Sequence, residues 1–549
     1  MASLLAPTAP PYDALEWEKK PFPEKCRMVC EAWALQGYGS PPSAMVFYGL
    51  KVGLYLFGWA MFCGGFSGLS HIQDWWLEPF AFQKMMLWSM LFEGLGLGCG
   101  SGPLTGRYVP PFGGLTYFLR PGTTKYPLIR MPLLGGDTRT WFDVLLYLAQ
   151  QVLLVRALLA PVPGLEHLLP VIGMSILLAM VDKTTFLAAR GEHYWTMLCV
   201  FALGTNLAAD DPQWLSGAKA VQLALWFWAG FSKLNHHFPT VVCVMVSNSP
   251  VLRFEWLRKL MYRSYPNDLR PSSLAVRMAH AGTLLEFGVP IVLGFSHGGT
   301  GTLVGLAMML MLHGFITSNV PMGVPIEWNF AVVYSGFFLF YANAPVHVLD
   351  GDPLTLIFVF VCVLLVPLLG NLFPRAISFL LAMRYYAGNW AYSVWLFKGD
   401  SYKKLDKMKK TSAWHLDQLA KFYDRRTAVG LVGRVIAFRS MHLQGRVLQA
   451  ALPKAVDKVE DYEWVDGELI AGQVIGWNFG EGHLHDEALL EAVQRQCGFE
   501  PGELRCIFVE SQPLGGKTLG YRIADARTGP IGQGEVPVAQ LREWQPWPV

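Results

Sequence analysis

The chain alternates long apolar runs with short polar connections. Ten runs approach the roughly 20 apolar residues that a helix needs to cross a bilayer core: 44–66, 82–98, 142–160, 168–187, 194–208, 218–234, 274–295, 302–318, 331–343 and 354–369. Runs 194–208 and 331–343 are short and fit tilted or re-entrant helices. Residues 374–397 are aromatic and apolar but contain Arg384, Gly388 and Asn389, and read as a helix lying in the membrane interface. From about Val456 the pattern becomes that of a water-soluble domain. Asp486–Gln496 sets Leu489, Leu490 and Val493 on one helical face and stops at Gly498. Arg505–Glu510 and Gly520–Ala524 read as strands between Gly/Pro turns.

The pattern predicts an all-α polytopic transmembrane helix bundle of about ten spans with a small C-terminal cytoplasmic α+β domain. Four regions follow: an N-terminal segment at 1–43, the helical membrane domain at 44–370, interfacial and basic juxtamembrane helices at 371–455, and the soluble domain at 456–549.

Composition agrees. Only 15% of residues are charged, against about 25% in soluble proteins, and a net charge of +3 offers no basic field for nucleic acid. The nine cysteines are odd in number and scattered, which speaks against a disulfide framework, and Cys26 with Cys30 is too little for a metal site. Met1–Ser43 is polar and Pro-rich without the apolar core of a signal peptide, so the first span is expected to direct insertion.

Charge in the connections alternates. The segments before 44, at 99–141, 188–193 and 235–273 carry Lys or Arg, whereas those near 74–78, 161–167, 209–217, 296–301 and 344–353 carry none. The positive-inside rule then places both termini in the cytoplasm of a bacterial inner membrane. Residues 398–446 hold twelve Lys/Arg against four Asp, a run that fits either anionic lipid or a solvated helix face. The basic loops 99–141 and 235–273 could likewise receive an anionic head group, or serve topology alone.

Candidate chemistry comes from charges inside apolar helices. A cation at the centre of a membrane helix costs about 2.5–3.5 kcal/mol. Lys233 ends the run Val221–Leu234, so it either snorkels to the interface or has been placed for chemistry. Intramembrane charges usually face the bundle interior and pair, which makes Lys233 with Glu93 or Glu286 and His313 the candidate site. Burial would disfavour the charged lysine and make it a base; a carboxylate beside it would oppose this. In the soluble domain His483 and His485 alternate as strand residues do and are weak candidate metal ligands. Gly515-Gly-Lys-Thr518 lacks the first glycine of a phosphate-binding loop, which would stand at Ser511, and reads as a hairpin turn.

The run Trp228-Ala-Gly-Phe-Ser-Lys233-Leu resembles the signature of vitamin-K-dependent γ-carboxylase-like membrane proteins, the HTTM group. Leu284-Leu-Glu286-Phe-Gly-Val-Pro290 and the span ending His313-Gly-Phe-Ile are similar to it in the same order. The whole chain, including Asn319–Asn329 and Gly476–His485, also looks like a family of uncharacterised bacterial transmembrane proteins. The carboxylase resemblance implies that Lys233 is a base acting on a lipid-soluble substrate. Two departures stand against it: in the carboxylase the matching lysine and the large C-terminal region are lumenal, whereas both read cytoplasmic here.

Two functions follow from different classes. One is a carboxylase/oxygenase-like enzyme acting on a lipid or quinone-like molecule. The other is a non-catalytic lipid-binding, transport or assembly-scaffold protein with membrane lipids and membrane-protein partners. Ion-coupled transport through Glu93 and Glu286 lacks the paired broken helices of an inverted repeat. No cofactor is implied by any motif.

Overall fold

In the computed structural model, residues 5–98, 114–129, 135–205, 213–319, 326–377, 385–477 and 480–548 are described. The Gly- and Pro-rich stretch around Arg107, with Arg130, Asp210, Asp211, Arg384 and parts of the Asn319–Asn329 and Gly476–His485 runs, lies outside these residues.

Helices α1 (Ala14–Glu18) and α2 (Phe22–Gln36) come first. The apolar helices follow as α3 (Ser43–Gly68), α4 (Pro79–Gly94), α5 (Trp141–Leu159), α6 (Leu165–Val181), α7 (Gly191–Thr205) and α8 (Trp214–Ser232). After a short helix α9 (Phe238–Asn248) come α10 (Ser273–Phe295), α11 (Gly299–Thr317), α12 (Ile326–Gly336) and α13 (Pro353–Leu372). Each of the ten apolar runs therefore contains a helix. Five of these helices, α3 (extended to Asp74), α5, α10, α11 and α13, are long and apolar enough to cross a membrane.

Their surfaces explain the distinction. Leu145, Leu148, Val152, Val155 and Leu159 of α5 are exposed at helical spacing, as are Leu50, Leu54 and Phe57 of α3. Such apolar stripes are stable against lipid, not water. Helix α4 behaves oppositely: it is buried at every position from Ala81 to Gly94 and is enclosed by its neighbours.

The C-terminal half holds helices α14 (Arg425–Met441), α15 (Leu448–Ala455), α16 (Gly467–Val474) and α17 (Glu487–Cys497). A small hairpin, β1 (Tyr262–Ser264) and β2 (Asp268–Pro271), precedes α10. The main sheet contains β3 (Tyr392–Lys398), β4 (Tyr462–Asp466), β5 (Leu504–Val509), β6 (Thr518–Asp525) and β7 (Gly529–Pro537), in antiparallel order β4-β3-β5-β6-β7. The expected helix at Asp486–Gln496 is α17, capped by Asp486 and ended by Gly498 in the left-handed conformation. The strands expected at 505–510 and 520–524 are β5 and β6; Gly515, Gly516 and Lys517 lie in their connection and Thr518 opens β6.

Residues 374–397 correct the expectation of an interfacial helix. Their C-terminal part is β3, an inner strand with Trp395 opposite Val465 on one side and Cys506 on the other. An apolar run with aromatic and β-branched residues suits a strand covered on both faces as well as a membrane-surface helix. The other half of the strand's ladder lies 70 to 110 residues downstream in roughly counted sequence, so the local pattern could not distinguish them.

The basic run 398–446 is divided: Lys398, Lys403, Lys407, Lys409, Lys421, Arg425 and Arg426 are exposed, whereas Arg434, Arg439 and Arg446 are buried. Arg434, at full burial, donates to the carbonyls of Tyr38 (2.6 Å) and Thr8 (2.8 Å) and to Gln36 Oε1 (2.9 Å). Arg439 grips Asp466 through Nε (2.8 Å) and Nη2 (3.1 Å). Arg446 donates to the carbonyls of Leu541 (3.0 Å) and Trp544 (2.6 Å). These arginines tie the N-terminal segment, the sheet and the C-terminal tail to the α14 region. The N-terminal segment thus shares one hydrophobic core with the C-terminal domain, with Trp33 fully buried against Phe438.

Loop 235–273 carries α9, a further short helix and the β1–β2 hairpin instead of open coil. Trp33→Ala should therefore lower stability by about 3–5 kcal/mol, as large core deletions do. This would appear as an earlier thermal unfolding midpoint of the C-terminal domain in detergent. An unchanged midpoint would mean that the N-terminal segment does not share that core.

Candidate functional site

The apolar helices α4, α7, α8 and α12 and their neighbours build one hydrophobic core; a second joins the N-terminal helices, α9, the main sheet and the C-terminal helices and takes in parts of α5, α6 and α10. A cavity of about 160 Å³ lies at their seam. Trp226, Leu312 and Val332 line it from the first core, while Val242 of α9, Trp390 and Phe438 of α14 line it from the second. The wall is almost entirely apolar, interrupted by Lys233, Glu286, His313, Asn329 and His442.

Local sequence explains how Lys233 arrives there. Helix α8 ends at Ser232, and Asn235 turns the chain at once into α9. Its Oδ1 accepts from the backbone N–H groups of His237 (2.7 Å) and Phe238 (3.0 Å), and Pro239 sits in the first turn of α9. Gly230, one turn before Lys233, lies against α10; a Cβ there would meet the backbone nitrogen of Phe287 at 3.4 Å. This close approach of two helices brings Lys233 Nζ into an ion pair with Glu286 Oε2, both side chains being more than nine-tenths buried. Nζ also donates to Ala229 O (3.3 Å) and stands 5.5 Å from the centre of the Phe238 ring. Lys233 therefore points into the bundle and does not snorkel outward.

His313 is held on both ring nitrogens. Trp226 Nε1 donates to His313 Nε2 at 3.0 Å, and His313 Nδ1 meets Asn329 Oδ1 at 2.7 Å. His442 comes from beyond α14, a region that no span-based search inspects. Its Nδ1 donates to Phe438 O (2.6 Å), and burial pushes its pKa down to about 3, leaving a neutral ring with Nε2 as acceptor. Asn329 and His442 are the site residues that the sequence alone did not flag. Asn329 could have been found from its polarity within an apolar helix, but nothing local marks His442.

Glu93 is not in this cavity. Its carboxylate pairs with Arg190 Nε at 2.6 Å, fully buried, and lies beside Gly98 and Glu327. Lys51 donates to Gly98 O (2.6 Å) at the same place. Trp328 divides this cluster from the cavity: it lines the cavity, donates from Nε1 to His193 Nδ1 (3.1 Å) and lies 5.1 Å from the Arg190 guanidinium. Successive residues of α12 thus belong to different environments. Two other lysines of the apolar helices have a plain structural role. Lys84 donates to Phe62 O (2.7 Å), and Lys219 donates to Asn343 O (2.9 Å) and Val346 O (2.6 Å).

Two basic residues of the 99–141 loop are similarly occupied, whereas Arg120, Arg253 and Arg263 are exposed. Lys125 pairs with Asp143 (2.6 Å) and Arg139 with Asp182 (2.7 Å), all buried. Neither is open to a lipid head group.

His483 and His485 do not converge on one metal position. His485 Nδ1 meets Ser393 Oγ at 2.7 Å in the interior, and burial drives its pKa down to about 3. His483 sits between Glu481 and Glu510, each 3.1 Å away; burial opposes its charge, but these hydrogen bonds and charges carry its pKa up to about 10. Among the described residues no group of three or more His, Cys, Asp or Glu could hold a metal ion.

Two measurements test these arrangements. Lys233→Met alone leaves Glu286 charged and unpaired and should destabilise by about 3–5 kcal/mol, whereas Lys233→Met with Glu286→Leu should recover most of that loss. Additive losses in thermal unfolding would refute the pairing. His483 gains its proton affinity on folding, so its stabilisation is complete below about pH 6.5 and disappears as pH rises toward about 10. The stability gap between the native chain and His483→Gln should shrink over that interval in denaturant titrations.

A family model described as transmembrane protein of unknown function, DUF3556, matches residues 2–549. No curated protein and no solved structure matches the chain.

Proposed function

We propose, for a chain that belongs to the DUF3556 family of transmembrane proteins of unknown function, a carboxylase/oxygenase-like membrane enzyme that takes a lipid or quinone-like molecule into the seam cavity. The observation that carries this reading is the meeting of Lys233, Glu286 and His313 in one apolar cavity. Apolar walls with a few fixed polar groups suit a small lipophilic ligand. Access through the bilayer is supported by Gly282 and Phe315, which line the cavity from α10 and α11 and are partly exposed on the lipid-facing side.

In this reading Lys233 is the base. Its proton passes along the existing hydrogen bond to Glu286, leaving an amine and a neutral acid. Exclusion of water by the ligand favours that exchange, because a neutral pair is less costly than ions in a dry cavity. The amine then accepts a proton from the substrate. The salt bridge itself favours a second reading, in which the charged pair persists and the protein binds a lipid without transforming it.

The membrane setting belongs to the same proposal. A core shared by the N-terminal helices and the C-terminal elements supports a membrane region that begins and ends on one side and is crossed an even number of times. Five helices qualify by length and hydropathy; at least one shorter helix crosses as well. The loop charges favour a bacterial inner membrane with both termini cytoplasmic.

Protein in nanodiscs would be incubated in D2O with a total bacterial lipid extract, and the lipids analysed by mass spectrometry. The enzyme reading expects a lipid species to be consumed or deuterated by the native chain and left unchanged by Lys233→Ala. Labelling that persists in Lys233→Ala would remove the lysine from the chemistry. A retained but unaltered lipid in both would support the binding reading.

A further inference from the structure

Resting on the reading that the seam cavity takes an apolar molecule, we propose that Asn329 selects a ligand whose head is a neutral oxygen acceptor, a carbonyl. His313 and Trp226 act as positioning residues that hold Asn329 in its donor orientation.

The argument runs outward from the bundle core. An indole N–H can only donate. Since Trp226 Nε1 donates to His313 Nε2 (3.0 Å), that nitrogen carries no proton, and the neutral imidazole carries its proton on Nδ1. The 2.7 Å contact from Nδ1 to Asn329 Oδ1 is then a donation from histidine to the amide oxygen. A reversed amide would set two donors against each other. The amide oxygen is thereby occupied, and the amide nitrogen becomes the free end of the chain.

That nitrogen, on a side chain only 4% exposed, meets no acceptor among the described residues. An N–H group buried without a partner is destabilising, and a ligand oxygen would remove that cost. His313 has neither nitrogen left for proton transfer, which makes it a positioning residue instead of a catalytic one.

Charge narrows the head further. Lys233 and Glu286 neutralise one another, and His442 is neutral, so the cavity offers no net positive charge to a carboxylate or phosphate. A cationic ammonium head would present further donors to the Asn329 N–H. A neutral carbonyl on an apolar body meets all three conditions: it accepts, it needs no counter-ion, and its chain suits the apolar wall.

The test uses a long-chain methyl ketone labelled with 13C at the carbonyl, bound to the full chain in nanodiscs, with empty nanodiscs as reference. The labelled stretch separates from phospholipid esters in the infrared, and hydrogen bonding moves it to lower frequency. The native chain should give a protein-dependent, red-shifted band. Asn329→Leu should retain the ketone but lose the shift. His313→Phe should weaken the shift by freeing the amide to turn, and His313→Asn, which restores an N–H near the Nδ1 position, should recover part of it. That rescue would not follow from a merely structural histidine.

Uptake is measured separately with the ketone and an alkane of equal length. Retention of neither overturns the cavity reading, and this inference with it. Retention of both with an unshifted carbonyl, or a shift that survives Asn329→Leu, overturns the Asn329 assignment while the cavity reading stands. Stronger competition by a fatty carboxylate than by the ketone overturns the neutral head.

Discussion

A buried charge must find a partner, and this requirement organises the whole chain. In a low-dielectric interior an ammonium or guanidinium group survives only beside a carboxylate or several carbonyl oxygens. Lys84 and Lys219 bind backbone carbonyls between apolar helices. Arg190 takes Glu93, Arg139 takes Asp182 and Arg439 takes Asp466. Arg434 and Arg446 reach the N- and C-terminal segments respectively. Each of these contacts joins elements far apart in sequence, so the charges act as cross-braces of an otherwise apolar fold.

Lys233 obeys the same rule with a different surrounding. Its partner Glu286 faces a cavity instead of close-packed side chains. The cavity exists because two cores meet there without filling the space between them. The polar groups that reach it come from both: Lys233, Glu286, His313 and Asn329 from the bundle, and His442 from the end of α14. The segment before β3 and the end of α14 are therefore a wall of the candidate site.

The apolar runs and the soluble α/β elements near the C-terminus were legible in the sequence because both rest on local periodicity. Strand β3 was not, because an inner strand and an apolar interfacial helix share the same composition until pairing partners are known. The grouping of Lys233 with Glu286 and His313 was legible because charges in apolar helices must pair somewhere. Glu93 was misassigned for the same reason: its competing partner, Arg190, sits beyond the end of a span and looked like an ordinary loop charge. The basic run after residue 398 fitted either anionic lipid or a solvated helix face, yet Arg434, Arg439 and Arg446 within it are interior. Charge density alone does not reveal which arginines have acceptors waiting for them.

By itself, the sequence determined that this is a membrane protein with apolar helices, strands near its C-terminus and a few ionisable groups that require partners. Those conclusions depend on hydrophobic spacing and on the cost of isolated charge, both of which act locally. Tertiary structure alone decided which charges pair, which half of the chain supplies the inner strand and where the N-terminal segment docks. It also decided that Asn329 and His442 border the same cavity as Lys233. These outcomes depend on contacts across tens to hundreds of residues, where the free energy is set by packing and hydrogen-bond geometry that no local pattern encodes.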